Sequence, residues 1–335
     1  MSPETPPLLT LTDMSIRVGN APLNLVDGVS LSLRAGETLC IVGESGCGKS
    51  LTALALMGLL ATPPLRLVSG RAEFGGRDLF ALPPRALADI RGSEIAMIFQ
   101  EPMSSLNPAL SIGEQIAESV RRHRRVDRAT ALERALEMLR RVRIPAPEKR
   151  LSEYPYQMSG GMRQRAMIAM ALANDPKLLI ADEPTTALDV TVQQQVLDLM
   201  KQLQRETGTG MIMITHDLGV VAKMADQVAV MYAGRIVESG PVAAIFDDPQ
   251  HPYTIGLMSS MPSLDARGGR LVTIPGVVPA ADAMPGGCRF AARCPFAGPA
   301  CAVAPPLAEV VGGHAVACWA APLELTGGRP MARAS

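Results

Sequence analysis

The stretch that decides the fold reads GESGCGKS and runs from Gly43 to Ser50. It follows the apolar run ETLCIV, which predicts a buried strand, and it opens a helix-forming run. Glycines let successive backbone N–H groups curl around an anion, and the start of the next helix adds partial positive charge. Strand, loop and helix in this order therefore predict a phosphate-binding loop. Its residues are Gly43, Glu44, Ser45, Gly46, Cys47, Gly48, Lys49, Ser50 and Leu51.

Two side chains of this loop carry the expected chemistry. Lys49 is long enough to reach the outer phosphates of a nucleotide, and Ser50 is expected to ligate Mg²⁺. Cys47 lies inside the loop, and we interpret it as a small residue whose backbone, not its thiol, contacts the ligand.

A second apolar run, LLIADEP at 178–184, ends in two neighbouring carboxylates. Adjacent side chains leave a strand on opposite faces, so we expect Asp182 and Glu183 to have different roles. Asp182 suits the Mg²⁺ shell, and Glu183 suits orienting or polarising an attacking water.

The sequence MSGGMRQR at 158–165 lies between the phosphate loop and the carboxylates and precedes an apolar helix. Ser159, Gly160 and Gly161 at a helix start offer a hydroxyl and accessible N–H groups to a phosphate. This predicts a second anion site that has no lysine of its own.

Together these motifs resemble the ATP-binding subunit of an ABC transporter. Further segments match that family in the expected order: MIFQEP contains Gln100, TTALD contains Asp189 and MITHD contains His216. The resemblance implies that Gln100 senses Mg²⁺ and the γ-phosphate, that Asp189 contacts a partner subunit, and that His216 holds the γ-phosphate and works with Glu183. ATP and Mg²⁺ are the implied cofactors.

The resemblance also implies an assembly. Two subunits of this family pack head to tail, so Ser159, Gly160 and Gly161 would cap the γ-phosphate of the ATP held by the partner's phosphate loop. It further implies an α/β fold with a phosphate-loop ATPase core, an antiparallel β subdomain and a helical subdomain.

The pattern of apolar, charged and turn-forming residues along the chain agrees with that organisation. Residues 8–45 alternate apolar runs with Gly, Asp and Asn, as short strands and turns do. Residues 101–160 are charged, with apolar positions returning at helical spacing. The strand-like runs KLLIAD and GMIMITH flank a helical run, an order that favours a parallel sheet. We predict a nucleotide-binding domain at 1–240, with its helical subdomain at about 101–160, and a Pro-, Gly- and Ala-rich extension at 241–335.

Composition and the longest apolar runs limit which cellular compartment and which partners are expected. The chain has 335 residues, 47% of them apolar, and a formal net charge of zero, which does not suggest nucleic acid as a partner. MSPETPPLLT at the start lacks the basic region and apolar run of a secretory signal. The longest apolar run, LTALALMGLLA, is shorter than the roughly 20 residues that span a bilayer. We expect a cytosolic protein whose membrane role comes from its partners.

The C-terminal region narrows the family. HPYTIGLMSSMPS at 251–263, IPGVVP at 274–279 and GCRFAARCP at 287–295 resemble the C-terminal extension of ATPases that serve oligopeptide, dipeptide and nickel importers. This implies import of di- or oligopeptides by a pair of related, distinct ATPase subunits. They would lie at the cytoplasmic face of the inner membrane beneath two transmembrane permease subunits, supplied by an extracytoplasmic binding protein. Nickel, glutathione or another small solute remains an alternative cargo, and a soluble ABC protein outside transport is a further alternative.

Four of the six cysteines lie in this region, at Cys288, Cys294, Cys301 and Cys318. A reducing cytosol disfavours disulfides, and a segment with little apolar periodicity needs another source of order. We therefore predict one metal centre, foremost a 4Fe–4S cluster, with zinc or unliganded thiols as the alternatives.

Overall fold

The structure is a computed structural model that describes residues 6–100, 105–186, 188–260, 274–280, 283–326 and 329–332. Its strands are β1 (Leu9–Val18), β2 (Val26–Leu33), β3 (Thr38–Val42), β4 (Leu65–Phe74), β5 (Arg77–Asp78), β6 (Ile95–Ile98), β7 (Leu178–Asp182), β8 (Gly210–Thr215), β9 (Gln227–Tyr232), β10 (Arg235–Pro241), β11 (Ala308–Val311), β12 (His314–Val316), β13 (Leu323–Thr326) and β14 (Arg329–Ala332). Its helices are α1 (Lys49–Leu56), α2 (Pro84–Ile90), α3 (Ile112–Arg124), α4 (Arg128–Arg141), α5 (Pro147–Arg150), α6 (Gly160–Leu172), α7 (Val190–Thr207), α8 (Leu218–Met224), α9 (Val242–Asp247) and α10 (Pro252–Ser259).

The chain divides into two compact units, and each contains separate stretches of sequence. The first unit comprises Leu33–Thr38, Ala81–Ile214 and the described part of Met1–Leu8. The second comprises Leu9–Ser32, Leu39–Phe80 and the described part of Thr215–Ser335. The predicted division at residue 240 stays a prediction.

Parallel strands form the centre of the first unit. β6 pairs with β7 and β7 pairs with β8, both in parallel, and every residue of β7 and β8 is buried. Strands that are covered on both faces have continuous apolar sequences, which explains LLIA and MIMI. The parallel arrangement predicted from the strand, helix, strand order is confirmed.

The helix between β7 and β8 is fixed at both ends. α7 begins behind Asp189, whose carboxylate accepts hydrogen bonds from two backbone N–H groups of its first turn, and it ends at Gly208 in the left-handed conformation. Val196, Met200 and Leu203 form part of its buried face. Both ends of α7 are therefore defined by capping residues.

Helices dominate the rest of the first unit. α3, α4 and α6 pack against one another through buried residues such as Ile116, Ala135 and Ile168. Of the predicted helical region 101–160, residues 101–104 lie outside the described residues.

The second unit contains an antiparallel sheet of order β2-β1-β4-β5, in which β4 pairs antiparallel with both β1 and β5. It also contains neighbouring strands in the order β11-β12-β10-β9-β3. β3 and β9 are parallel, whereas β9 with β10, β10 with β12 and β12 with β11 are antiparallel. The C-terminal extension thus adds strands beside β10. No helix in the described part of the chain is long and apolar enough to cross a membrane.

A buried carboxylate joins the extension to β10. Glu238 has no exposed surface, and its Oε1 accepts the Gln250 N–H at 2.6 Å while its Oε2 accepts the His251 N–H at 2.9 Å. His314 Nε2, on β12, lies 2.7 Å from the same Oε1. One side chain therefore connects β10, the start of α10 and β12.

We expect Glu238→Ala to lower the free energy of unfolding by about 3 kcal/mol, because it leaves buried N–H groups without an acceptor. Urea denaturation of the full-length chain measures this value. Glu309→Ala is the matched control, since Glu309 accepts only an exposed turn N–H among its described hydrogen bonds. We expect it to change the free energy of unfolding by less than about 0.5 kcal/mol. Equal effects of the two substitutions would contradict the role given to Glu238.

Candidate functional site

The predicted phosphate loop occupies the turn between β3 and α1. All five residues of β3 are buried, and Gly43 to Gly48 then lead into the helix at Lys49. Gly43, Gly46 and Gly48 have φ angles of 151°, 80° and 104°, a region that favours glycine. Gly48 caps α1 without any side-chain hydrogen bond, so the first N–H groups of the helix are not covered by a capping side chain.

Close packing makes two of these glycines necessary. A Cβ on Gly43 would clash with the Met231 carbonyl oxygen at the end of β9, and a Cβ on Gly48 would lie 2.9 Å from the side chains of Met231 and Val26. A Cβ on Gly46 would have no neighbour within 4 Å, so this glycine is needed only for its backbone angle. The chain is therefore held close to β9 on one side of the loop.

Lys49 is folded into the loop. Its Nζ donates to the carbonyl oxygens of Gly43 at 2.7 Å and Glu44 at 3.0 Å, and the residue is 6% exposed. Its Nζ also donates to Cys47 Sγ at 3.7 Å. A buried ammonium group whose described acceptors in this loop are all neutral is suited to an anionic ligand, which would form stronger hydrogen bonds with it. Cys47 is 1% exposed, and burial raises the pKa of its thiol. The loop thus fits the phosphates of a nucleoside triphosphate.

The carboxylates at the end of β7 differ in their surroundings. Asp182 is buried at 5% exposure, whereas Glu183 is partly exposed and has a positive φ of 46°. Glu183 Oε2 accepts hydrogen bonds from Gln100 Nε2 at 3.1 Å and from Thr186 Oγ1 at 2.8 Å. The structure therefore brings together Gln100 and Glu183, and it adds Thr186.

Thr186 is a contact that the sequence analysis missed. The only signal for it is a hydroxyl three residues after Glu183 in the run DEPTT, and a threonine in a turn more often caps the local backbone. The positive φ at Glu183 turns the chain back so that this hydroxyl reaches the carboxylate.

The second predicted anion site is a shallow pocket of about 700 Å³ in the first unit. Its lining includes Ser159, Gly160, Gly161 and Asp189. Ser159 caps α6 by accepting the Met162 N–H at 3.4 Å. A Cβ on Gly161 would lie 2.8 Å from the Val192 side chain, so glycine lets the start of α6 approach α7.

The same pocket has two cations that the sequence analysis missed. Arg143 and Arg165 belong to its lining. Arg165 donates to the Val142 carbonyl at 2.9 Å and to Gln195 at 2.9 Å, and burial lowers the pKa of its guanidinium. Their positive charges favour an anion in this pocket.

His216 directly follows β8 and is exposed, and Asp217 beside it caps α8. His216, Ser50 and the rest of the phosphate loop belong to the second unit, whereas Gln100, Asp182, Glu183 and the Ser159 pocket belong to the first. The predicted site residues are thus divided between the two units.

The cysteine prediction was wrong. Cys288, Cys294, Cys301 and Cys318 line one cavity of about 200 Å³, together with Phe290, Phe296 and Trp319. Within the described ranges, no group of three or more His, Cys, Asp or Glu side chains is arranged to hold a metal ion. Neither the predicted 4Fe–4S cluster nor the zinc alternative is supported.

The physical reason is geometric: the thiols line the cavity without converging as the ligands of one metal ion would. Burial raises the pKa of Cys288 and Cys318, and it raises the pKa of Cys294 to about 11. Cys288, Cys294 and Cys318 are thus neutral thiols at neutral pH, which suits this largely apolar cavity. All four are free cysteines, so no disulfide orders the extension either.

Comparison with known proteins identifies the family. Residues 26–186 match the family model "ABC transporter", and residues 237–301 match the model "Oligopeptide/dipeptide transporter, C-terminal region". A peptide ABC transporter ATP-binding protein from Sinorhizobium fredii is 57% identical over 296 residues, which cover 87% of this chain and 88% of that protein. The chain belongs to the ABC transporter ATP-binding proteins.

Another relative is similar in sequence to this ABC ATPase over nearly its whole length. A peptide import ATP-binding protein from Brucella abortus is 50% identical over 320 residues, or 95% of this chain and 96% of that protein. Among solved structures, a dimeric ATP-binding cassette in a post-hydrolysis state, bound to ADP and Pi, matches with a TM-score of 0.62 and 27% identity. It covers 70% of this chain, and this chain covers 98% of it. The ABC ATPase fold predicted from the sequence is confirmed, as is ATP hydrolysis as its activity.

We expect Gly43→Ala to destabilise the ABC ATPase by about 3 kcal/mol or more, because the new Cβ meets backbone that cannot move aside. Gly46→Ala is the matched control in the same loop, and it should cost only about 1 kcal/mol for its positive φ. Urea denaturation of both variants measures the difference in the free energy of unfolding. Equal costs would show that the contact with Met231 does not constrain the loop.

Proposed function

We propose that this ABC ATPase powers the import of di- and oligopeptides across the cytoplasmic membrane. The main observation in support of this cargo is the match of residues 237–301 to the C-terminal region of oligopeptide and dipeptide transporters. Relatives at 57% and 50% identity, both named for peptide transport or import, support the same cargo. Nickel and glutathione are the alternative cargoes that the uptake experiment below tests against peptides, and another small solute is the third alternative.

The phosphate loop is proposed to bind the ATP phosphates through its N–H groups and Lys49. Lys49 would exchange its bonds to the Gly43 and Glu44 carbonyls for bonds to phosphate oxygens. Ser50 and Asp182, with Gln100, would hold Mg²⁺. Bound MgATP supplies the phosphoanhydride whose hydrolysis releases the free energy for transport.

Glu183 is proposed as the residue that orients the attacking water. Gln100 and Thr186 hold its Oε2, so the carboxylate keeps a fixed direction. His216 is proposed to contact the γ-phosphate and to work with Glu183. Catalysis here consists mainly of positioning and electrostatic stabilisation.

The Ser159 pocket is proposed to cap the ATP of a partner subunit, with Asp189 contacting that partner. The dimeric state of the solved ATP-binding cassette supports a dimer. We propose that the partner is a second, related ATPase, that both bind two transmembrane permease subunits, and that an extracytoplasmic protein delivers the cargo. The ABC ATPase would then be a peripheral subunit at the cytoplasmic face of the inner membrane.

We expect Glu183→Gln to bind ATP with unchanged affinity but to lose at least about 100-fold in turnover, because the amide cannot orient and polarise the water. ATP should then hold the dimer together, which size-exclusion chromatography with ATP detects. Glu148→Gln, which changes an exposed carboxylate paired with Arg140, is the control and should hydrolyse ATP normally. Normal turnover by Glu183→Gln would refute its assigned role.

The cargo is tested by uptake in cells that depend on this chain for the transporter. Radiolabelled dipeptide and pentapeptide, Ni²⁺ and glutathione are supplied separately to cells carrying the unmodified chain or Glu183→Gln. We expect only peptide uptake to fall to background in the variant. Loss of Ni²⁺ or glutathione uptake with peptide uptake intact would contradict the proposed cargo. No loss at all would also contradict it, and it would favour another small solute or a function outside import.

A further inference from the structure

The C-terminal extension reaches the phosphate loop directly. Arg293 Nη1 donates to Glu44 Oε2 at 2.8 Å, and Arg293 Nη2 donates to Glu44 Oε1 at 3.1 Å. Glu44 is the second residue of the loop, and the two residues are 249 positions apart in sequence. The Arg293 side chain is 7% exposed and that of Glu44 is 28% exposed. This is a two-point, mostly buried ion pair, a geometry that fixes direction as well as charge.

A second residue of the extension holds the backbone of Glu44. The Glu44 N–H donates to the Tyr253 hydroxyl oxygen at 2.8 Å, and Tyr253 is fully buried at the start of α10. Burial raises the pKa of Tyr253, so it stays a neutral phenol. Glu44 is therefore bound through its side chain and through its main chain by two separate segments of the extension.

Both of these residues are themselves held firmly. Tyr253 packs against Tyr232 and Phe290, with ring centroids 4.7 Å and 5.5 Å away. Arg293 Nε donates to the Pro275 carbonyl at 2.8 Å, and its guanidinium lies 5.7 Å from the Tyr232 ring centroid. Packed aromatic rings and a cation over a ring leave few alternative rotamers for these side chains.

The contact affects the loop at the point where Lys49 is anchored. The Glu44 carbonyl oxygen accepts both Lys49 Nζ at 3.0 Å and the Cys47 N–H at 3.3 Å. Fixing Glu44 thus fixes the curl of the loop, and Arg293 balances a carboxylate that would otherwise repel the phosphates. A loop held in its binding shape loses less conformational entropy when ligand binds.

We propose that the extension braces the phosphate loop, and that Arg293 and Tyr253 are positioning residues that set the affinity for ATP through Glu44. The inference rests on the proposed assignment of Gly43–Ser50 as the ATP phosphate site. The extension, whose sequence indicates the transporter class, would therefore also act in ATP binding.

The test uses the full-length chain and measures KM and kcat for ATP together with the affinity for the non-hydrolysable analogue Mg-AMP-PNP. Arg293→Met should raise KM about tenfold and weaken analogue binding equally, with kcat changed less than about twofold. Tyr253→Phe, which removes one acceptor, should raise KM about threefold. Arg293→Lys keeps the charge but not the two-point geometry, and it should recover part of the loss.

A double-substitution cycle isolates the link to Glu44. In a Glu44→Gln background, Arg293→Met should change KM by less than about twofold, because the carboxylate that it binds is already absent. A full tenfold change in that background would overturn the brace. If Arg293→Met does not fold, Arg293→Lys replaces it in the test. An unchanged KM for ATP in Arg293→Lys would also overturn the proposed role of Arg293.

Two controls separate this inference from the proposed function. Arg71→Met removes an exposed ion pair with Glu73 in the same unit and should leave KM and kcat unchanged. Lys49→Met should abolish analogue binding. Retained binding by Lys49→Met would overturn the phosphate-loop assignment, whereas lost binding by Lys49→Met with normal KM in Arg293→Met would overturn the brace alone.

Discussion

The phosphate loop depends on one steric constraint: the chain leaving β3 passes the end of β9 so closely that only glycine fits at position 43. Because β3 and β9 are parallel neighbours, the Met231 carbonyl points at the first residue of the loop. The turn after β9 completes this contact, since the Gly234 N–H donates to the Cys47 carbonyl at 2.8 Å. The position of Lys49 and the start of α1 follow from this path.

The loop is therefore held from several directions before any ligand binds. β9 and the following turn limit it on one side, and Arg293 and Tyr253 bind Glu44. Glu183 is restrained in the first unit in a comparable way by Gln100 and Thr186. Preorganised groups of this kind need little rearrangement during the reaction, which is where much of the catalytic advantage of enzymes arises.

The extension shows why the spacing of cysteines in a sequence is a weak predictor of metal binding. The side chains of Cys288, Cys294, Cys301 and Cys318 line one cavity, but they do not form the predicted metal centre. Ligation also requires thiolates at suitable directions and distances, and these depend on burial and backbone path. Order in this segment comes instead from Glu238 and from the rings of Tyr232, Tyr253 and Phe290.

The sequence by itself determined the fold class, the family and most candidate site residues, because a phosphate loop and a buried strand ending in carboxylates are local patterns that few folds share. The parallel order of β7 and β8 was also readable, since their apolar runs flank one helix. Only the tertiary structure decided that Thr186 holds Glu183, that the thiols lack metal geometry, and that Arg293 binds Glu44. The Thr186 contact depends on the direction that the backbone takes at Glu183, which a nearby hydroxyl in the sequence does not specify. The Arg293–Glu44 pair joins residues 249 positions apart, for which local sequence carries no signal.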